Sequence, residues 1–287
     1  MRLRLTYPWY VILLMAVLIN PACTETIDID LDSTYTRLVV EGAVTTDSIK
    51  HYVILSRTSD YFSPGLASGF ADAMVELTFG NETIQLIENP EDPGLYETPT
   101  AFRGVIGMTY DLNISQVDVN QDGVEESYNA SSTMAGGSEL DGIELQYISF
   151  QAESGYSVLM YAMHPTEQRD WFGFKLIKNG NLLTNSLDQY SVISDELFDS
   201  GYFPGFPVGY LSDNEPDEAV LPGDTICLEF NCIEEAYYNF VVEAQTEIAG
   251  YYPLFSGPPS NVVSNISNGA LGIFAAYSIQ RSYLIAE

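Results

Sequence analysis

From Arg37 to about Thr133, apolar and polar residues alternate in short runs broken by turn residues. A period of two sends successive side chains to opposite faces of an extended chain, so each run predicts a strand with one apolar face. Many such strands joined by tight turns build an antiparallel sandwich. The runs are Arg37 to Val44, His51 to Arg57, Ala73 to Phe79, Thr83 to Glu88, Gly94 to Thr98, Met108 to Val117 and Val124 to Ser132. In the clearest of them Ala73, Val75, Leu77 and Phe79 share one face, and Gly80-Asn81 turns the chain into Ile84 and Leu86.

Residues 133–141, rich in glycine, mark the expected boundary between a sandwich over 37–135 and a second β-rich region over 136–287. Strands are predicted at Ile143 to Gln151, Ser157 to Met163, Trp171 to Lys178 and Asp224 to Phe230, with Asn179-Gly180 as a hairpin turn. Residues 199–216 carry Gly, Pro, Phe and Tyr and are expected to form a long loop. Ile233, Ala236, Tyr237, Phe240, Val241 and Ala244 recur at helical spacing behind Glu234 and Glu235, which predicts one long helix near 232–247. With 46% apolar and 13% aromatic residues there is material for one large or two modest cores.

The first 22 residues read as a signal peptide. Arg2 and Arg4 precede the apolar run Tyr10 to Ile19, and Pro21-Ala22 leads into Cys23. As a helix that run spans only ~15 Å, about half a bilayer core, so it directs export instead of spanning. Ala22 fits a bacterial lipobox and Asn20 stands where leucine is usual; Cys23 is the expected lipid attachment site. Residues 23–36 then form a tether and first strand, with Asp28, Asp30 and Asp32 on one face of Ile27 to Asp32.

A formal charge of −30 disfavours nucleic acid and anionic membrane surfaces as partners, because both need clustered Lys and Arg. Neutral or cationic ligands, metals and other proteins remain. Apart from Cys23 there are Cys227 and Cys232, whose separation is about 17 Å if extended, against the ~6 Å that a disulfide accepts. A bridge would need a sharp turn near Asn231.

Asp118, Asn120, Asp122 and Gly123 occupy positions one, three, five and six of a calcium loop. Asn129 stands where the bidentate glutamate belongs, leaving Glu126 as its substitute. The same residues also make a hairpin turn between two predicted strands, and both readings stand at this point. No cofactor other than calcium is expected. His51 and His164 are read as surface or packing residues, and the chain lacks Gly-x-Ser-x-Gly, His-Glu-x-x-His and a phosphate loop. The expectation is a protein that is not an enzyme. Tyr202, Phe203, Phe206 and Tyr210, and beyond them Tyr251, Tyr252 and Phe255, lie in two loop stretches where rings are less easily explained as strand interior; they either contact a ligand or partner or fold back onto the sandwich.

Leu38-Val39-Val40-Glu41-Gly42, Ser56-Arg57-Thr58, Pro93-Gly94-Leu95-Tyr96, Pro222-Gly223-Asp224-Thr225, the run from Phe255 to Asn261 and the run from Asn265 to Phe274 together resemble the Bacteroidota lipoprotein family of domain of unknown function 4249. The resemblance covers nearly all the chain after Cys23. It implies an outer-membrane lipoprotein, periplasmic or surface facing, beside a TonB-dependent transporter, and it supplies no catalytic residue. The N-terminal strand pattern also looks like an immunoglobulin- or transthyretin-like β-sandwich. The functional expectation is a noncatalytic binding or accessory lipoprotein, with a structural or adhesive surface lipoprotein as the alternative.

Overall fold

Strands dominate because short β-branched and aromatic runs alternate between turns; the computed structural model places a strand at each predicted run of the first region and divides the run Thr83 to Glu88 between two sheets. It describes residues 36–59, 68–151, 153–165, 169–197, 201–250 and 262–287. The predicted strands of the first region appear as β1 (Leu38–Thr45), β2 (Tyr52–Arg57), β3 (Met74–Phe79), β4 (Glu82–Gln85), β5 (Ile87–Glu88), β6 (Leu95–Glu97), β7 (Thr109–Val117) and β8 (Glu126–Thr133). Then follow β9 (Glu139–Phe150), β10 (Glu153–Met163), β11 (Trp171–Lys178), β12 (Asn181–Leu182), β13 (Ser191–Ser194), β14 (Tyr202–Ser212), β15 (Thr225–Ile233), helix α1 (Glu235–Ile248) and β16 (Leu271–Ile285). The protein is mainly β, with sandwich-like layers and a single α-helix among the described residues.

One long sheet backs the whole fold, in the order β12-β11-β15-β16-β1-β2-β6-β5, with β13 also paired to β11. Strand β16 joins its halves. Residues 271–277 pair in parallel with β1, and residues 278–285 pair antiparallel with β15. Phe274 and Ala276 enter the core of the first region, while Ser278, Gln280, Ser282 and Leu284 lie opposite Cys232, Phe230, Leu228 and Ile226 of a second core. All these β16 residues are even-numbered and so share one face. Two smaller sheets therefore cover that face side by side: β4-β3-β7-β8 over the first core and β14-β10-β9 over the second. The C-terminal strand thus completes the first sandwich as well as the second.

The opposite face carries α1, which buries Val241 and Ala244 and sets Tyr237 and Tyr238 against Ile233, Ala275 and Tyr277. A charge ladder crosses this face. Glu229 stands opposite Lys175 on one side and Arg281 on the other. Arg281 donates to both carboxylate oxygens of Asp47, at 2.9 and 2.6 Å, and to Glu229 Oε2 at 2.7 Å. Hydrogen bonding to Arg281 holds the Asp47 carboxyl below its usual range.

Residues 199–216 are mostly strand, not the expected loop. β14 is an edge strand, where Pro204 and Pro207 need no ladder partner, and two register shifts against β10 absorb the irregular backbone around Gly205. β16 was not predicted, because a strand with apolar residues on both faces has no alternation to read. Cys227 and Cys232 are both free. An odd offset along β15 sends them to opposite faces, so the sharp turn that a bridge requires is absent.

Gly272 fixes where β16 approaches β1. Its φ is +95°, and an added Cβ would fall 2.0 Å from the Val40 carbonyl oxygen. Gly272→Ala is expected to cost about 3 kcal/mol or more by chemical denaturation, whereas Gly180→Ala, in open space at φ +83°, is expected to cost only about 1 kcal/mol. His51 provides a pH-dependent counterpart. Its buried ring contacts the Phe102 carbonyl through Nε2 at 3.0 Å, and burial lowers its pKa from 6.5. The unfolded chain then binds the proton more readily, so stability is full above about pH 6.5 and falls as pH drops toward the depressed value. Melting temperatures measured from pH 7.5 to 5 should show that fall, and His51→Gln should flatten it.

Candidate functional site

Asp118, Asn120 and Asp122 lie between β7 and β8, and their oxygens face their own backbone. Asp118 accepts from the amides of Asp122 and Gly123 at 3.0 and 2.9 Å, Asn120 from Asp122 at 3.2 Å, and Asp122 from Val124 at 2.8 Å. Asn120 also donates to Asp122 Oδ2 at 3.0 Å, and Gln121 and Gly123 adopt positive φ. Glu126, in β8, accepts from the Tyr128 hydroxyl. These are the contacts of a side-chain-closed hairpin turn. Calcium would have to draw the same oxygens away from the amides.

The predicted aromatics of β14 divide between two faces. Phe203 is fully buried and Phe206 packs against the same core, with their rings 5.8 Å apart. Tyr202 and Tyr210 stand opposite Met163 and Ser157 of β10 and point the other way. Tyr251, Tyr252, Phe255 and Cys23 lie outside the described residues.

The outer face of the β14-β10-β9 sheet gathers what the loop reading could not. Ile148 of β9 stands opposite Gly155, Gln146 opposite Ser157, and Glu144 opposite Leu159. Around them Phe150 is 71% exposed, Met163 48%, Ile148 43% and Tyr210 41%. An antiparallel sheet with one buried face ordinarily presents a polar face to water, yet this one sets large exposed apolar side chains among Glu144, Gln146 and Ser157. Two tyrosines lie over glycines: a Cβ on Gly205 would meet the Tyr161 ring at 3.0 to 3.5 Å, and one on Gly155 would meet the Tyr210 hydroxyl at 2.8 Å.

The borders of this sheet are acidic. Tyr161 donates to Glu144 at 2.8 Å, while Tyr147 and Ser154 both donate to Asp213 Oδ2, at 3.1 and 2.8 Å. β9, β10 and β14 contain no lysine or arginine. Sequence reasoning found Tyr202 and Tyr210 but missed Ile148, Phe150 and Met163, which sit in runs apolar on both sides. The signal that would have found them is an apolar residue at both parities of a strand predicted to lie in a two-layer sandwich.

A second concave feature, about 470 Å³, lies beside α1 and is lined in part by Lys175, Tyr190, Tyr237 and Phe240. Lys175 Nζ sits 5.5 Å from the centre of the Tyr190 ring and 3.7 Å from Glu229. Burial raises the pKa of Tyr190 and Tyr237, so both hydroxyls stay protonated at neutral pH.

The family model described as Domain of unknown function (DUF4249) matches residues 24–282. The chain belongs to that family. No curated protein matches it. The expectation drawn from the shared residue runs, that the match extends over nearly all of the chain after Cys23, is met by this DUF4249 protein. No helix among the described residues is long and apolar enough to cross a membrane.

Asp118→Ala removes two acceptors from the turn and is expected to lower stability by about 1 kcal/mol in denaturant titrations run with a chelator present. An unchanged midpoint there would show that the turn does not depend on Asp118.

Proposed function

We propose that this DUF4249 protein is a noncatalytic binding or accessory protein of the cell envelope, anchored at the outer membrane through a lipid on Cys23. The observation that carries the binding role is the apolar outer face of the β14-β10-β9 sheet. Exposed Ile148, Phe150 and Tyr210 gather at one end of that face and Met163 and Tyr202 lie at the other, an apolar exposure of the kind that marks an interaction site. Glu144, Glu153 and Asp213 border it, and among the described residues none of them pairs with a Lys or Arg. Charge complementarity selects a protein partner whose apolar contact surface is rimmed by Lys or Arg. The partner proposed is a TonB-dependent transporter in the same membrane. The export signal before Cys23 and the acidic composition support an envelope location.

Tagged protein should enrich one β-barrel transporter from detergent-solubilised outer membranes, identified by mass spectrometry. Ile148→Asp combined with Tyr210→Asp should reduce that enrichment at least about tenfold while leaving circular dichroism unchanged. Equal enrichment by both forms would remove the outer face from the interaction. Recovery of the wild-type protein alone, where known complexes survive, would overturn the transporter partnership.

A further inference from the structure

At the end of β10 the chain brings His164 inward. Its ring stacks on Phe203 with centroids 4.6 Å apart and meets the edge of Phe172 at 6.2 Å, and its side chain is 1% exposed. Its backbone amide donates to the Gly201 carbonyl at 3.0 Å. Two ring contacts and this backbone hydrogen bond together set the ring. Asp170 precedes β11 and Asp195 follows β13, and the pairing of Trp171 with Ser194 places the two acids next to each other. The Asp195 amide donates to the Asp170 carbonyl at 3.0 Å, which fixes that neighbourhood through the backbone.

One donor atom from each of His164, Asp170 and Asp195 lies within 4.8 Å of the others. His164 Nδ1 is 3.9 Å from Asp195 Oδ2, beyond hydrogen-bond range. Donors around a single ion are separated by about 3 to 5 Å, as bond lengths of ~2.0–2.6 Å require. The Asp195 side chain is only 9% exposed, and Nε2 of His164 is buried with no hydrogen-bond partner. A carboxylate held this far from water needs a compensating positive group nearby, and a divalent cation among these three side chains supplies one.

We propose that His164, Asp170 and Asp195 form a binding site for a divalent first-row metal ion of the Zn²⁺ or Mn²⁺ class. One imidazole with two carboxylates is a mixed nitrogen and oxygen set, which suits these ions better than calcium, whose ligands are all oxygen. His164 Nδ1 is the nitrogen turned toward Asp195; it donates to the Pro165 carbonyl at 3.1 Å, so to ligate the ion through Nδ1 the ring would carry its proton on the otherwise unpartnered Nε2. The ion would tie the end of β10 to the β11-β13 pair. It would also stiffen the Phe203 end of β14 from within the second core. The site is independent of the proposed partner surface.

The test uses the purified protein, stripped with a chelator and titrated with Zn²⁺ and Mn²⁺ by calorimetry, beside Asp170→Asn and Asp195→Asn variants of checked circular dichroism. One equivalent should bind the wild type, at least about tenfold more weakly in each variant, and the metal should raise the melting temperature of the wild type alone. Absence of a saturable single equivalent would overturn the site, as would equal affinity in all three proteins, which would assign binding to surface carboxylates. If an Asn variant fails to fold, Co²⁺ added to the wild type decides: visible absorption saturating at one equivalent supports the site, and none overturns it.

Discussion

The fold depends on a change of partner in the middle of one strand. Residues 271–277 of β16 complete the first sandwich beside β1, and residues 278–285 complete the second beside β15. Neither smaller sheet could bury its apolar face without the part of the backing sheet that β16 closes. The parallel pairing of Val39 with Leu271 spans nearly the whole described chain. Pairings so distant in sequence carry a large loop-closure cost that only the completed cores offset.

Charge follows the same geometry. The chain has ten basic residues against forty acidic ones, and the sheet face under α1 uses Lys175 and Arg281 to neutralise Glu229 and Asp47. Pairing at cross-strand positions is what allows Glu229 to sit with its side chain 8% exposed. The strands of the β14-β10-β9 sheet themselves carry no Lys or Arg, and among the described residues no ion pair is formed by Glu144, Glu153 or Asp213. A single composition thus yields a balanced interior and an unbalanced rim.

The seven runs of the first region were legible where one face is buried and the other exposed, as with Tyr128, Ala130 and Ser132 against their neighbours in β8, while the single run Thr83 to Glu88 divides between two sheets as β4 and β5. Helix α1 was legible for the corresponding reason at helical period. Where both faces are covered, the period vanishes: β16 went unread, and β14 was taken for a loop because its prolines are harmless only on an edge, a property of topology. The candidate site was half legible. Aromatic composition pointed to Tyr202 and Tyr210, while Ile148, Phe150 and Met163 become a surface only once the β9-β10 pairing is known. The His164 group was invisible for a related reason, since its members come from three elements and share no spacing rule.

The late position of β16 in the sequence also bears on how the chain matures. A ribosome delivers residues 38–134 long before residue 271, so β1 spends synthesis with an open edge and the first core lacks Phe274 and Ala276. A nascent chain in that condition lacks part of its first core and is poorly committed to its final packing. The strand that unifies the two sandwiches thereby also acts as a timer, since β1 cannot be closed on that side before residues 271–277 have been made.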